Sequence, residues 1–153
     1  MPRVRGLTTL AFVVVASVFP GAQQGTALAG RWAADQPTVP GSLPNFIQIE
    51  IAASQVTMRI NKGPLETYSL TGVETTLPDG RTAVAAMDQQ GVLTVTRTRT
   101  RSREDGTYLT IMRETHRVSS EKLIIERTLS GRRPGDTDVR WIPIASVEYV
   151  REP

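Results

Sequence analysis

The chain has 153 residues, no cysteine, one histidine, and 18 lysines and arginines against 15 aspartates and glutamates. A chain of this length forms one domain that can bury its own core, and the absence of cysteine excludes disulfide frameworks, lipid-modified cysteine anchors and thiolate chemistry. The net charge of +3 is too small for a protein that binds nucleic acid through its overall charge.

The first 29 residues have the pattern of a secretory signal peptide. Two arginines precede an apolar run of 13 residues, Leu7–Phe19, and the stretch ends in the small-x-small sequence Ala27–Ala29. The run is too short for a membrane span, which needs about 20 apolar residues. The sequence therefore predicts export to a secreted or periplasmic location, a mature chain that starts at Gly30, and no transmembrane span in that chain. An uncleaved anchor and a cleavage near Ala22 are the alternatives.

The charge of the mature chain is nearly balanced overall but unevenly distributed. Without the signal peptide, 16 basic and 15 acidic residues remain. The stretch Val92–Arg133 contains ten basic and five acidic residues. This distribution predicts a local positive region on an otherwise near-neutral domain.

Residues 30–153 form a series of short segments that alternate in hydrophobicity and are separated by turn residues. No stretch of ten residues in this domain has a helical period. The pattern predicts an all-β fold, a single antiparallel up-and-down β-barrel of about eight strands, with an open β-sandwich as the alternative. The predicted strands are Gly30–Trp32, Asn45–Ala52, Gln55–Ile60, Glu66–Thr75, Arg81–Met87, Val92–Arg103, Tyr108–Val118, Lys122–Leu129 and Trp141–Val150.

The first predicted hairpin has the clearest inward face. Three isoleucines alternate with polar residues in Asn45–Ala52, and Gln55–Ile60 repeats the pattern. Only Ala53 and Ser54 lie between the two strands, which is the length of a tight hairpin loop. We therefore expect Ile49 and its apolar neighbours to lie in the core.

Two further hairpins set the register of the central strands. The pair Asp105-Gly106 favours a two-residue loop, which predicts that Arg97 lies opposite Glu114 and Val95 opposite His116. A turn at Ser119–Lys122 then places Glu114 opposite Arg127 and His116 opposite Ile125. The expected result is one cross-strand row of arginine, glutamate and arginine on the core face.

That row is the candidate ligand-binding site. Buried charges are costly unless they are paired, and two arginines beside one glutamate leave a positive charge facing inward. We interpret the row as the polar end of a cavity for a small anion or as a wet rim of the barrel. The candidate ligand-binding residues are Arg97, Arg99, Glu114, His116 and Arg127.

The predicted mature chain begins with Gly30-Arg31-Trp32, and the stretches Tyr68–Glu74, Gly91–Val95 and Glu148–Val150 follow in that order. These motifs and their order resemble those of a family of secreted bacterial lipocalin-like β-barrel proteins of unknown function. In lipocalins the tryptophan of such a Gly-x-Trp start plugs the closed end of the barrel. The resemblance implies the fold and an extracytoplasmic location, and it implies no reaction.

The remaining motifs argue against catalysis. His116 is a possible base, but no motif supplies a nucleophile, and one histidine without cysteine does not predict a metal site. The sequence indicates no cofactor and, without aromatic residues between its arginines, no nucleic-acid partner.

The predicted function is non-catalytic binding of a small amphiphilic, hydrophobic or anionic molecule inside the barrel. The alternative is a cell-envelope interaction module with a filled interior, acting through its surface. An exposed basic tip around Arg101, Arg103, Arg132 and Arg133 would contact anionic lipopolysaccharide or phospholipid.

Overall fold

A computed structural model describes residues 27–36, 38–40 and 43–153. These residues form one antiparallel sheet of ten strands that is nearly closed into a barrel. The predicted all-β barrel is confirmed, with ten strands instead of about eight. The strands are β1 (Gly30–Ala34), β2 (Phe46–Ala52), β3 (Gln55–Ile60), β4 (Leu65–Ser69), β5 (Thr75–Thr76), β6 (Thr82–Met87), β7 (Leu93–Arg103), β8 (Gly106–Ser119), β9 (Lys122–Arg132) and β10 (Ile142–Arg151).

The sheet runs up and down, and the first and last strands pair with each other. Strand β1 pairs with β2 on one side and with β10 on the other, so the order is β4-β3-β2-β1-β10-β9-β8-β7-β6-β5. The two ends of this order meet at a seam between β4 and β6. A single isolated backbone bridge, between Thr71 and Ala86, joins the two sides of the seam.

The seam exists because one predicted strand is split. The sequence predicts a continuous strand over Glu66–Thr75, but β4 ends at Ser69 and β5 comprises only Thr75 and Thr76. Gly72 lies between them with φ +79°. That left-handed conformation cannot continue a strand, so the chain bends away from the ladder.

The core is formed by the inward residues of all the longer strands. In β2 and β3, Ile47, Ile49, Val56 and Met58 are each at most 1% exposed, which confirms the inward face predicted for this hairpin. Trp32 is fully buried, and its indole Nε1 donates a hydrogen bond of 3.0 Å to a backbone carbonyl, so its one polar atom is satisfied.

The residue that accepts this hydrogen bond is Leu28, which lies within the predicted signal peptide. Leu28 is 1% exposed and packs in the core cluster. Residues 1–26 of the predicted signal lie outside the described residues, so the export segment and its cleavage after Ala29 stay a prediction. Cleavage after Ala29 would remove Leu28 from the core, whereas cleavage near Ala22 would keep it.

The register of the β7–β8 hairpin differs by two residues from the predicted one. Arg97 pairs with Met112 and Val95 with Glu114, so the predicted pairing of Arg97 with Glu114 is wrong. The loop consists of Glu104 and Asp105, and the positive φ of +132° falls on Gly106, which begins β8. A shift of two residues leaves every side chain on its predicted face, because side chains alternate with period two.

The β8–β9 hairpin has the predicted register. Glu114 pairs with Arg127 and His116 with Ile125. The loop residues Ser120 and Glu121 have φ of +51° and +64°, as a two-residue hairpin with positive φ at both positions requires. Within the described ranges, no helix is long and apolar enough to cross a membrane.

Candidate functional site: a buried charge cluster

The predicted arginine and glutamate residues meet inside the barrel, although not as a straight row. Arg97 reaches Glu114 diagonally, and its Nη1 donates to Glu114 Oε2 at 2.5 Å. Arg127, directly across the ladder, donates from Nε to Glu114 Oε1 at 2.9 Å and also from Nη2 to the same oxygen. One carboxylate therefore accepts charge-assisted hydrogen bonds from two guanidinium groups.

Two residues of β4 complete the cluster from across the seam. Arg97 Nη2 donates to the Tyr68 hydroxyl at 2.9 Å and to Glu66 Oε2 at 3.3 Å, and the Tyr68 hydroxyl itself donates to Glu66 Oε2. Arg97 reaches them past β6, where the inward residues are the alanines Ala83 and Ala85. Small side chains on β6 leave the space through which the long arginine side chain crosses the seam.

The cluster is balanced in charge, which corrects the predicted inward surplus. Arg97 and Arg127 face Glu114 and Glu66, so two cations meet two carboxylates. Glu66 also lies 3.8 Å from Arg81, whose side chain is 26% exposed and extends toward solvent. The sequence argument missed Glu66 and Tyr68 because β4 is remote in the chain.

Burial and mutual attraction act in opposite directions on the charged groups. Burial alone raises the pKa of Glu114, but the positive charges beside it, above all that of Arg97, lower this pKa to about 2. Burial likewise disfavours the charged form of Arg97, and Glu114 more than offsets this and raises the pKa of the guanidinium. Burial raises the pKa of the Tyr68 hydroxyl, so Tyr68 is a neutral hydrogen-bond donor in the cluster.

Two predicted site residues have other surroundings. Arg99 pairs with Thr110, where β7 has passed the end of the core, and it is exposed, so it is not part of the buried cluster. His116 is 1% exposed and lies between Leu93 and Ile125 in the ladder. Among the described residues, its Nδ1 has no hydrogen-bond partner. Burial lowers the pKa of His116, and the negative charge of Glu114 opposes this effect.

The titration of His116 predicts a loss of stability in mild acid. Because its pKa is lower in the folded state, the unfolded state binds the proton first once the pH falls below the ordinary value of about 6.5. We expect the free energy of unfolding to fall as the pH goes from about 7.5 to about 5. Glu114 affects stability at lower pH, because its stabilising contribution is lost as the pH falls from its ordinary pKa of 4.5 to about 2.

Urea unfolding at a series of pH values tests this effect of His116 on stability. The chain has one histidine, so no second imidazole contributes to the measured pH dependence. The matched variant is His116→Leu, which places an apolar side chain between Leu93 and Ile125. This variant should lose the slope above about pH 5 and keep the steeper loss at lower pH. An unchanged slope above pH 5 would contradict the buried neutral histidine.

The fold and the cluster together define a nearly closed antiparallel β-barrel with a buried cluster of paired charges. No group of three or more His, Asp or Glu side chains within the described ranges is placed to hold a metal ion. Comparison of the chain with protein-family models, with curated proteins and with solved structures found no match. The resemblance to secreted lipocalin-like proteins therefore stays a prediction from the sequence.

Proposed function

We propose that this protein is a non-catalytic interaction module of the cell envelope that acts through its surface. The observation that carries the proposal is the contrast between buried charges that are paired with one another and an exposed set of arginines at one end of the barrel. We call that end the arginine ribbon. It comprises residues 99–108 of the β7–β8 hairpin.

The interior offers little support for the other predicted function, binding of a small molecule inside the barrel. Arg97 is 3% exposed, Glu114 2% and His116 1%. These three residues do not line any of five surface grooves on the described part of the chain, although Arg127 of the same cluster lines one of them, beside residues of β10. Because Arg97 and Glu114 already bind each other, an entering anion would have to displace a buried partner. Internal binding stays a prediction.

The arginine ribbon carries a net positive charge, because its three arginines outnumber Glu104 and Asp105. Arg99, Arg101 and Arg103 alternate along β7, so they lie on one face about 7 Å apart. All three are exposed, and in the described part of the chain none has a carboxylate within ion-pair distance. A regular row of cations with free donors fits an extended array of anions better than a single small molecule.

An aromatic residue of the ribbon, Tyr108, contacts one arginine within the ribbon and one just after β9. The guanidinium carbons of Arg103 and Arg133 each lie 5.3 Å from the centroid of the Tyr108 ring. Arg133 also donates to the Tyr108 hydroxyl at 2.9 Å, and this hydroxyl donates to Asp105 at 2.6 Å. Held in this way, the two guanidinium groups lose less conformational entropy when they bind phosphate.

These features favour a phosphate-rich envelope surface as the target, either anionic phospholipid or the phosphates of lipopolysaccharide. Each arginine near an anionic membrane surface contributes about 1 kcal/mol of binding free energy, and salt weakens the attraction. The cell-envelope location and the non-catalytic role in this proposal are the ones predicted from the sequence.

Flotation with lipid vesicles tests the proposal. We expect the full mature chain to bind vesicles that contain phosphatidylglycerol, to bind zwitterionic vesicles weakly, and to lose binding as salt rises. The double variant Arg101→Gln/Arg103→Gln should bind roughly 30-fold more weakly. The matched control, Arg117→Gln/Lys122→Gln, removes the same charge at the other end of β8 and β9 and should bind like the wild type.

Equal losses in the two double variants would mean that only net charge matters, and they would refute the ribbon as the binding site. Absence of binding to anionic vesicles and to lipopolysaccharide would refute the proposed target. If the protein bound only lipopolysaccharide, the ribbon would remain the proposed binding site, and lipopolysaccharide would be the source of the phosphate groups that it binds.

A further inference from the structure

We propose that a groove on the outer face of β1, β2 and β3 is a second binding site, specific for a small anion that carries an apolar or aromatic group. The groove has a volume of about 780 Å³, within the range of small-molecule sites. It does not involve the arginine ribbon, and it stands or falls independently of the proposed function. The ligand class is a carboxylate or a phosphate monoester.

The floor of the groove is a cross-strand row with an unusual charge pattern. Arg31 on β1 pairs with Gln48 on β2, and Gln48 pairs with Arg59 on β3. The two arginines therefore stand about 10 Å apart with a neutral amide between them. Rows on an exposed sheet face are stabilised by opposite charges, and this row itself has no carboxylate; the Gln48 amide donates at 2.8 Å to Glu50, which lies in the adjacent row. An anion above Gln48 would supply the missing charge and contact both guanidinium groups.

The next row supplies an apolar surface and a third cation. Phe46 is half-buried in this row, and the Arg31 guanidinium carbon lies 5.4 Å from its ring centroid. Lys62 is exposed just beyond the end of β3 and also lines the groove. Among the described residues, neither Arg59 nor Lys62 has a carboxylate within ion-pair distance. A ligand with an apolar group beside its anion matches this arrangement.

Two contacts fix the shape of the groove. The side-chain Oδ1 of Asn61 accepts hydrogen bonds of 3.1 Å from the backbone amides of Asn45 and Phe46, which leaves its amino group as a donor. On the opposite wall, Glu152 lies 3.9 Å from Arg31, and its backbone amide donates to the Arg31 carbonyl at 2.8 Å. Glu152 balances one of three cations, so the groove keeps a positive charge and selects against cationic ligands.

Titration of the full mature chain with phenyl phosphate, benzoate, inorganic phosphate and benzylamine tests the site, with calorimetry as the readout. We expect saturable binding of phenyl phosphate or benzoate, tighter than that of inorganic phosphate, and no binding of benzylamine. Binding of phenyl phosphate alone would identify the ligand class as a phosphate monoester, and binding of benzoate alone would identify it as a carboxylate. Either outcome would support the proposal. Absence of saturable binding for both, or equal binding of benzylamine, would overturn it.

Three variants locate the binding. Gln48→Glu places a carboxylate between the two arginines at nearly unchanged volume, and Arg59→Gln removes one of them, so each should weaken phenyl phosphate or benzoate at least tenfold. Phe46→Leu should remove the preference over inorganic phosphate. Arg117→Gln is the matched charge control and should bind like the wild type. Unaltered affinity in both Gln48→Glu and Arg59→Gln would refute the groove as the site, and their thermal melts show whether they remain folded.

Discussion

Replacement of Ile49 with aspartate is expected to unfold the domain. Ile49 is 1% exposed, and it lies across the β2–β3 hairpin from Met58, a residue that is fully buried. A carboxylate at this position has no partner, so it must lose its hydration or keep its proton at neutral pH. The expected cost is about 4 kcal/mol or more, a large part of the total stability of a domain of this size.

The matched control is the neighbouring residue on the opposite face of the strand. Gln48→Asp places the same charge on the outer face, between two arginines, and should leave the free energy of unfolding nearly unchanged or slightly higher. Circular dichroism during thermal and urea unfolding measures both variants. Equal destabilisation by the two substitutions would mean that the inward face of β2 is assigned incorrectly.

Replacement of Glu114 with glutamine is expected to cause the second large loss of stability. Glu114 is the only carboxylate that accepts hydrogen bonds from both Arg97 and Arg127 within the described cluster. A neutral amide at this position leaves the buried Arg97 and the partly buried Arg127 short of one counter-charge, and breaking a buried pair in this way costs about 3 to 5 kcal/mol.

A double-mutant cycle separates the pair from its surroundings. Arg97→Met removes the second member of the pair, and in the Glu114→Gln background it should restore part of the stability, because it removes a buried cation that has lost its partner. The coupling free energy from urea unfolding of the four proteins should exceed about 1 kcal/mol. Coupling near zero would contradict the contact between Arg97 and Glu114.

The hairpins could be predicted wherever local patterns determine the register. The β2–β3 and β8–β9 pairings follow from period-two alternation and short loops, and both agree with the structure. The β7–β8 register was missed because the charge argument only excluded a slip of one residue. A slip of two keeps every side chain on its face and creates no like-charge pair at Arg97, and the length of the Arg97 side chain lets it reach Glu114 from a diagonal position.

The candidate site could be predicted in part, for a related reason. Arg97, Glu114 and Arg127 lie on three consecutive strands, so local pairing brings them together. Glu66 and Tyr68 join them across the seam, and no local pattern in the sequence indicates which strands meet there. Arg99 follows the same alternation as Arg97, but the core has ended at its level, and alternation alone does not show where a core ends.

The seam between β4 and β6 has a consequence for the order in which the barrel assembles and comes apart. Other neighbouring strands are joined by ladders of backbone hydrogen bonds. In the described part of the chain, the two sides of the seam are joined by one bridge, the contacts from Arg97 to Tyr68 and Glu66, and the ion pair of Glu66 with Arg81. These contacts stabilise the fold only after both sides have been brought together and dehydrated, so we expect closure of the seam to be a late step in folding. By the same reasoning, we expect local opening under native conditions to begin along the seam and to leave the meander from β7 to β10 intact.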